Sequence, residues 1–332
     1  ATFTVTTGPS ITSTVSEVCE DGSLTLSATP AGGTWAITSG SGTVAATGST
    51  STESTAVFTS SSAGSATVTY TKGGVPDQVT VTVLSPPTIS PSTAVDVCVG
   101  STVTLTGSGT ASSSTPWSSD DESIATVLNG VVSGVATGVA TITYTNNKGC
   151  TVTKDVTVRG LPNVSAGADQ TICAGSSTTL TSSTMSSYNW STGATTQSIT
   201  VSPTDDTQYT LTATDAYGCE NTAQVTVEVE DLPSVSVSSG SSTLCSGETV
   251  TLSSTVAGGS WSSSDNSVAT VSGGVVTAKS VSVQSTAVIT FTSTANCTGS
   301  ITVTVNPELT ISGTLSATVG GSAPTLLING ST

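Results

Sequence analysis

One recurring unit constrains the fold of this chain more than any other feature of its 332 residues. The most complete copy opens at Cys98, places Trp117 19 residues later, continues into an Ala-Thr-Ile-Thr-Tyr run and closes at Cys150. Three further copies have a cysteine followed by a tryptophan after 16 or 17 residues. A period of about 75 residues indicates a tandem array of small domains instead of one large domain.

Alternation of apolar residues with threonine indicates strands in every copy. The copies end in period-two runs such as Val79-Thr-Val-Thr-Val and Ile301-Thr-Val-Thr-Val, which place valine on one face and threonine on the other. About seven short strands per copy, separated by Gly, Asn and Asp turns, are typical of an immunoglobulin-type sandwich. The sequence therefore predicts an all-β fold, a tandem array of Ig-like β-sandwich domains, with almost no helix.

Prolines mark the predicted domain boundaries, because each follows an alternating run and precedes another. The predicted domains are 1–86, 87–161, 162–232 and 233–307. Residues 308–332 match the opening strands of a fifth repeat, with Thr318 at the position of the cysteine. They belong either to a longer array or to a donor strand that completes the sheet of another chain.

The cysteines bracket three of the repeats at separations of 52, 46 and 52 residues. This regular spacing predicts one disulfide per domain and an oxidising compartment. The predicted pairs are Cys98–Cys150, Cys173–Cys219 and Cys245–Cys297. Cys19 breaks the pattern, because residues 72–77, where its partner is expected, contain no cysteine. It is predicted to be unpaired within the chain, either as a buried thiol or as half of an intermolecular bridge.

The tryptophans are predicted to be core residues on the third strand of each sandwich, packed against the disulfide. They are Trp35, Trp117, Trp190 and Trp261. Each repeat also carries one aromatic residue on a later strand, which is assigned to the same core. These residues are Tyr70, Tyr144, Tyr209 and Phe291.

The charge balance restricts the partners of this chain. The formal charge is −16, from 21 acidic residues and five basic ones. Because phosphate binding needs clustered cations, the sequence predicts no nucleic-acid partner and no docking on anionic lipid. No apolar run reaches the roughly 18 residues that cross a bilayer, so we expect no membrane insertion. The N-terminus lacks a basic region followed by an apolar stretch, from which we expect a mature product or a fragment.

Acidic clusters are the remaining candidates for chemistry, because the sequence has no histidine and therefore no histidine-activated nucleophile. These clusters are predicted to satisfy backbone groups in turns or at strand ends. We therefore predict no enzyme, no catalytic residue and no cofactor. Calcium is the weak alternative, held at a domain seam by oxygen ligands from Glu228, Glu230 and Asp231. The other clusters are Asp120-Asp121-Glu122 and Asp205-Asp206.

Three segments carry resemblances to known protein families. Trp117-Ser-Ser-Asp-Asp-Glu-Ser-Ile-Ala-Thr-Val followed by Gly130-Val-Val-Ser-Gly, and the equivalent run from Trp261, resemble the bacterial Ig-like domain of the group 2 type. The run from Tyr188 to Cys219 is similar to tandem modules of very large secreted surface proteins in gliding Bacteroidetes, including motility adhesins. The second cysteine of each predicted pair lies at the start of the last strand, unlike that of antibody domains.

The resemblance implies an extracellular protein of the bacterial cell surface. We expect a rigid stalk of an adhesin or filament, whose partners are neighbouring copies or domains of the same surface protein. One alternative is a polymer joined by strand complementation through 308–332. Another is a module that binds a glycan or a host protein through exposed aromatics, for which Tyr188 and Tyr217 are the spare candidates.

Overall fold

The structure, a computed structural model, describes residues 7–308. All regular elements in this range are strands. These described residues contain no helix that is long and apolar enough to cross a membrane. Sheets form in four successive stretches, named here the first (10–84), second (89–159), third (170–230) and fourth (235–306) sandwich. The predicted all-β fold with tandem Ig-like sandwiches is confirmed. The predicted segment 308–332 lies outside the described residues, apart from Glu308.

The first sandwich has eight strands in two four-stranded sheets. The strands are β1 (Ser10–Ile11), β2 (Glu17–Cys19), β3 (Ser23–Thr29), β4 (Thr34–Ser39), β5 (Thr43–Ser49), β6 (Ser54–Thr59), β7 (Gly64–Lys72) and β8 (Val75–Leu84). The sheet orders are β1-β3-β6-β5 and β2-β8-β7-β4. Alternate side chains of β3 and β6 point inward, so Leu26 and Phe58 are completely buried.

The second sandwich follows the same plan with shorter outer strands. The strands are β9 (Ile89–Ser90), β10 (Val95–Cys98), β11 (Thr102–Thr104), β12 (Thr106–Gly107), β13 (Trp117–Ser119), β14 (Ala125–Leu128), β15 (Val131–Gly134), β16 (Gly138–Thr145) and β17 (Thr151–Arg159). One sheet has the order β10-β17-β16-β13, a second β11-β15-β14, and β12 pairs with β9. Val132, Ile142 and Val156 lie at the centre of its core.

The third sandwich has six strands. They are β18 (Gln170–Cys173), β19 (Thr178–Thr181), β20 (Ser187–Trp190), β21 (Ser198–Val201), β22 (Thr207–Thr214) and β23 (Glu220–Glu230). The sheet orders are β18-β23-β22-β20 and β19-β21.

The fourth sandwich again has eight strands. They are β24 (Val235–Ser239), β25 (Thr243–Cys245), β26 (Thr249–Ser254), β27 (Ser260–Ser263), β28 (Ala269–Ser272), β29 (Val275–Ala278), β30 (Ser285–Thr292) and β31 (Thr298–Asn306). The sheet orders are β24-β26-β29-β28 and β25-β31-β30-β27. Its core contains Val276, Ile289 and Val303, all completely buried.

Every sandwich pairs a short cysteine-bearing strand in parallel with its last strand. These pairs are β2 with β8, β10 with β17, β18 with β23, and β25 with β31. Because the two strands run in the same direction, the cysteine at the end of the first lies beside the end of the last. The cysteine is therefore placed where the chain leaves the sandwich.

The aromatic residues lie in or beside the cores, as the sequence predicts. Three tryptophans sit opposite an aromatic on the neighbouring strand, with ring centroids 4.7 to 5.1 Å apart. Trp190 is completely buried, whereas Trp35, Trp117 and Trp261 are half-buried and pack against the core edge. Their predicted contact with a core disulfide is wrong, because the disulfides join different sandwiches.

Packing groups the chain into two compact units. Among the described residues, the first comprises 7–164, 185–188 and 212–222, and the second comprises 165–184, 189–211 and 223–308. The segment 212–222, which contains the turn between β22 and β23, falls in the first unit. Its Cys219 is bonded to Cys98 of the second sandwich. The predicted domain boundaries stay predictions.

Candidate functional site at the disulfide-linked junctions

The three disulfides link each sandwich to the next one. They are Cys19–Cys150, Cys98–Cys219 and Cys173–Cys297, and Cys245 is free and exposed. The predicted pairs Cys98–Cys150, Cys173–Cys219 and Cys245–Cys297 are therefore wrong. The prediction that Cys19 is unpaired is also wrong, and the unpaired cysteine lies in the fourth sandwich instead of the first.

The strand register explains why a bridge within one sandwich does not form. Cys98 lies opposite Arg159 at the end of β17, whereas Cys150 precedes the start of the same strand. Nine residues at about 3.3 Å each separate the two ends by roughly 30 Å. A disulfide needs Cα atoms within about 7 Å, so the two cysteines of one sandwich are too far apart.

We call Cys19, Cys98, Cys173 and Cys245 the exit cysteines. Each carbonyl oxygen accepts a hydrogen bond from the amide three residues later, at 2.9 to 3.1 Å, which closes a tight turn. The third residue of that turn has a left-handed backbone in every case. These residues are Asp21, Gly100, Gly175 and Gly247. Glycine is favoured there because it has no Cβ to clash with the backbone, and Asp tolerates the conformation.

We call Cys150, Cys219 and Cys297 the turn cysteines, because each ends the turn before the last strand. A polar side chain four residues earlier accepts a hydrogen bond from the amide of the cysteine, at 3.0 to 3.2 Å. The three capping residues are Asn146, Asp215 and Ser293. A left-handed residue directly precedes each cysteine, namely Gly149, Gly218 and Asn296. The turn therefore has the form polar-x-x-Gly/Asn-Cys.

The first sandwich has a different turn at this place. Gly73 and Gly74, both with positive φ, join β7 to β8 as a two-residue hairpin. No cysteine is present in it, which agrees with the sequence. The first sandwich thus has an exit cysteine but no turn cysteine.

The junction between the first and second sandwiches has one ion pair. Lys148 Nζ lies 2.7 Å from Glu17 Oε2, and both side chains keep nearly half of their surface exposed. An ion pair in so much water stabilises by at most about 1 kcal/mol. The covalent bond Cys19–Cys150 is therefore the main link at this junction.

A stacked arginine accompanies the disulfide Cys98–Cys219. The guanidinium of Arg159 lies 4.1 Å from the ring centroid of Tyr217, and its Nε is 2.8 Å from Asp96 Oδ1. The carboxylate holds the guanidinium over the ring, which favours a cation–π contact worth roughly 0.5–1 kcal/mol at an exposed site. Tyr217 is the one aromatic residue in the turn 215–219, and it makes this contact.

A hydrogen bond accompanies the disulfide Cys173–Cys297. Ser293 Oγ donates to Glu230 Oε2 at 3.2 Å, and the same hydroxyl caps its own turn. Glu230 lies opposite Cys173 in the parallel pair, as Arg159 lies opposite Cys98. The residue opposite the exit cysteine thus contacts the following turn at both of these junctions.

In the third and fourth sandwiches the residue two positions after the turn cysteine lies against the incoming linker. Asn221 Nδ2 donates to the carbonyl oxygen of Pro162 at 2.9 Å. At the equivalent position, a Cβ on Gly299 would lie 1.8 Å from the carbonyl oxygen of Pro233. Only glycine allows that approach, because any side chain would displace the linker.

The acidic clusters lie in turns or at a strand end, as predicted. Asp121 Oδ1 accepts hydrogen bonds from the hydroxyl and the amide of Ser123, and Asp265 is bonded to Ser267 in the same way. These bonds, the hydroxyl bond first, hold the pKa of Asp121 and Asp265 below the ordinary value of an aspartate. Asp206 Oδ1 accepts from the amide of Val229. These carboxylates stabilise turns and strand ends.

The proposed calcium ligands do not form a coordination group. No cluster of three or more acidic, histidine or cysteine side chains that could hold a metal ion occurs between residues 7 and 308. Glu230 instead accepts the bond from Ser293, and Glu228 and Asp231 are exposed. The absence of a cofactor stays a prediction.

The two spare aromatics have structural contacts. The hydroxyl of Tyr188 accepts from the amide of Met185 at 2.9 Å and donates to its carbonyl at 3.2 Å. Tyr217 stacks on Arg159. Neither arrangement favours a platform for a glycan ring.

A signal for the true pairing is present in the sequence. If each exit cysteine is paired with the turn cysteine of the next repeat, the separations are 131, 121 and 124 residues, also regular, and Cys19 gains a partner. The choice depends on the parallel pairing of the cysteine-bearing strand with the last strand, which the local sequence does not reveal.

Comparison with known families supports the identity of the second repeat. Residues 85–158 match the family model described as Bacterial Ig-like domain (group 2). This match confirms the resemblance predicted from the run at Trp117. Among curated proteins, none matches the chain.

The chain is similar at low sequence identity to several solved structures, which include tandem Ig domains. The N-terminal eight Ig domains of Down Syndrome Cell Adhesion Molecule have 12% identity and a TM-score of 0.31, covering 91% of this chain and 49% of that one. A C-terminal intimin fragment, solved with the intimin-binding domain of its translocated receptor, has 18% identity, a TM-score of 0.32 and coverages of 47% and 65%. Invasin, described as a bacterial integrin-binding protein, has 14% identity, a TM-score of 0.30 and coverages of 90% and 78%. The chain spans about half the length of the first of these solved chains.

Proposed function

We propose that this chain is a covalently reinforced, tension-bearing spacer in an adhesin or filament on the bacterial cell surface. The observation that carries the proposal is the offset pairing of the cysteines, which links successive sandwiches. Three disulfides favour an oxidising, extracellular location. The partners would be neighbouring domains or copies of the same surface protein, and no catalytic role is proposed.

The disulfides create a short covalent path through the array. Force applied at Cys19 is transmitted through the disulfide to Cys150, along the backbone to Cys173, and through the next disulfide to Cys297. Only the segment 150–173 then carries the load between Cys19 and Cys297. The other residues between these two cysteines lie in covalent loops that bear no tension.

That load-bearing segment has little length to release. Its nine residues in β17 and four in β18 are already extended at about 3.3 Å per residue, close to the limit of the backbone. Mainly the linker 160–169 can lengthen. We therefore expect the oxidised chain to resist extension while all of its sandwiches stay folded.

The non-covalent contacts at the junctions are too weak for this task. The contacts Lys148–Glu17 and Arg159–Tyr217 are each worth about 1 kcal/mol or less, because their groups are partly exposed. A spacer under load would separate such contacts first. The covalent bonds supply the strength that the junctions otherwise lack.

Single-molecule stretching from the two chain ends tests the proposal. In the oxidised chain we expect no unfolding steps between Cys19 and Cys297, since the shortest path extends to only about 80 Å. After reduction, the sandwiches between Cys19 and Cys297 should unfold one after another and release up to roughly 950 Å of contour length. The matched control is Cys245→Ser, which removes a cysteine but no bridge and should behave like the wild type. An oxidised chain that releases as much length as the reduced one contradicts the proposal.

A further inference from the structure

Cys245 is the fourth member of a set whose other members are all bonded. The exit cysteines of the first three sandwiches each form a disulfide with the turn cysteine of the following sandwich. Cys245 occupies the same place in the fourth sandwich and is exposed. The three internal copies therefore show what a cysteine at this position binds.

The local structure at Cys245 is that of a bonded exit cysteine. Its carbonyl oxygen accepts from the amide of Glu248 at 3.1 Å, and Gly247 has the left-handed backbone found at the other three sites. Strand β25 pairs in parallel with β31, with Cys245 opposite Asn306. In addition, Glu248 Oε2 accepts from the amide of Cys245 at 2.7 Å, which fixes this turn further.

The surface beside Cys245 has room for a turn of another sandwich. An open cleft of about 790 Å³ is lined by Cys245, Ser246, Gln284, Asn306 and Pro307, with Glu308. Asn306 is the residue opposite the exit cysteine, and its counterparts Arg159 and Glu230 both contact the following turn. The cleft therefore lies where the second and third junctions place the incoming turn.

We infer that Cys245 is the attachment site for a further Ig-like sandwich, through a fourth disulfide to a turn cysteine. The partner is a sandwich whose turn before the last strand has the form polar-x-x-Gly/Asn-Cys. The inference holds whether or not the chain bears tension, because it depends only on the repeated junction.

The partner cysteine is not one of the other cysteines in this sequence. The chain contains seven cysteines, and six of them are already bonded to one another. The turn of the first sandwich, at Gly73 and Gly74, has none, so a second copy could offer only its own Cys245. The turn cysteine therefore belongs to an Ig-like sandwich outside residues 1–332.

Formation of the bond is a two-electron oxidation of two thiols. A small-molecule or protein disulfide serves as the oxidant. The Cys245 thiolate attacks it, forms a mixed disulfide and releases one thiol. The thiolate of the turn cysteine then attacks the Cys245 sulfur, closes the bridge and releases the second thiol, so two protons and two electrons leave the protein.

The native protein from the cell surface provides the first test. Alkylation of free thiols followed by non-reducing cleavage after glutamate isolates Cys245 in the peptide 231–248. We expect this peptide to be disulfide-bonded to a peptide that contains a turn of the form given above. Three results would each overturn the inference, namely an alkylated Cys245, a Cys245–Cys245 pair or a cap by a low-molecular-weight thiol.

A lengthened chain provides the second test. A copy of residues 233–308 placed directly after Glu308 offers one new turn cysteine and one new exit cysteine. After incubation with oxidised glutathione and removal of mixed disulfides, titratable thiols should fall from three to one per chain. With Cys245→Ser in the original fourth sandwich, two thiols should remain, because the new turn cysteine has no partner. Three remaining thiols in the unsubstituted chain would overturn the inference.

Discussion

In the second sandwich Ile142 and Val156 are completely buried, whereas Glu17 and Lys148, which meet at its junction with the first sandwich, keep nearly half of their side-chain surface in water. Burial of a large aliphatic side chain is worth about 1.5–3 kcal/mol, and an exposed ion pair about 1 kcal/mol or less. The sandwich interior is therefore stabilised by packing. The junction depends on its disulfide.

The strand geometry explains why each disulfide joins two sandwiches instead of crossing one. A bridge inside a sandwich would have to join opposite ends of the sheet, for example Cys98 beside Arg159 and Cys150 before Thr151. A bridge between sandwiches joins groups that the strand order already places at neighbouring ends. The interior and the junction can therefore be weakened separately, and the following experiments do so.

Removal of one bridge should have the largest effect. For Cys98→Ser combined with Cys219→Ser, the chain-entropy model gives a loss of up to about 4–5 kcal/mol, because the bond closes a loop of more than 100 residues in the unfolded chain. Urea unfolding followed by tryptophan fluorescence measures this loss. The control is Cys245→Ser, which should leave the midpoint unchanged. Equal midpoints for the double variant and this control would show that the junction does not depend on the bond.

Removal of core volume should come second. We expect Ile142→Ala to lower the free energy of unfolding by about 2–5 kcal/mol, because it leaves a cavity between β16 and the opposite sheet. Leu128→Ala is the control in the same sandwich, since its side chain is 74% exposed, and it should change stability by less than about 0.5 kcal/mol. Chemical denaturation measures both. Similar losses for the two variants would refute the assignment of the core.

Loss of the stacked aromatic at the second junction should have a smaller effect. Tyr217→Ala removes the ring under Arg159, worth about 0.5–1 kcal/mol, so amide hydrogen exchange in the turn 215–219 should rise about two- to fivefold. Tyr217→Phe keeps the ring and should exchange like the wild type. If Tyr217→Phe exchanged as fast as Tyr217→Ala, the hydroxyl and not the ring would be responsible.

The smallest effect concerns the acidic turns. Because hydrogen bonds from Ser123 lower the pKa of Asp121, this turn is stabilised at pH values above the unfolded-state pKa, and the stabilisation is lost as the pH falls through the lower folded-state pKa. In Ser123→Ala the pKa of Asp121 should rise towards its ordinary value, which NMR titration of the carboxyl carbon measures. Asp265, with Ser267 intact, is the internal control. An unchanged pKa of Asp121 would remove Ser123 as the cause.

The sequence predicts the interior of each sandwich well, because the interior follows from local pattern. Period-two alternation in 138–145 and 151–159 places Ile142 and Val156 inward, and the aromatic at Tyr144 lies opposite Trp117 as a cross-strand pair. These features depend on residues close together in one repeat. The sequence also predicts that the acidic clusters lie in turns or at a strand end, since Asp and Ser satisfy nearby backbone groups.

The junctions are not predictable in the same way. Pairing within a repeat and pairing shifted by one repeat both give regular cysteine spacings, and only the parallel register of Cys98 with Arg159 decides between them. That register is a long-range feature of the folded sheet. The sequence does not predict the contact of Arg159 with Tyr217 either, because the two residues meet only after the sandwiches are joined.

Trypsin digestion of the alkylated, non-reduced chain tests the offset pairing most directly. Cleavage after the five basic residues places Cys19 in 1–72, Cys98 in 73–148 and Cys150 in the short peptide 149–154. The structure predicts that 149–154 is bonded to 1–72, that 73–148 is bonded to 160–279 through Cys98–Cys219, and that 160–279 is bonded to 280–332 through Cys173–Cys297. A bond between 149–154 and 73–148, with Cys19 alkylated, would contradict the account.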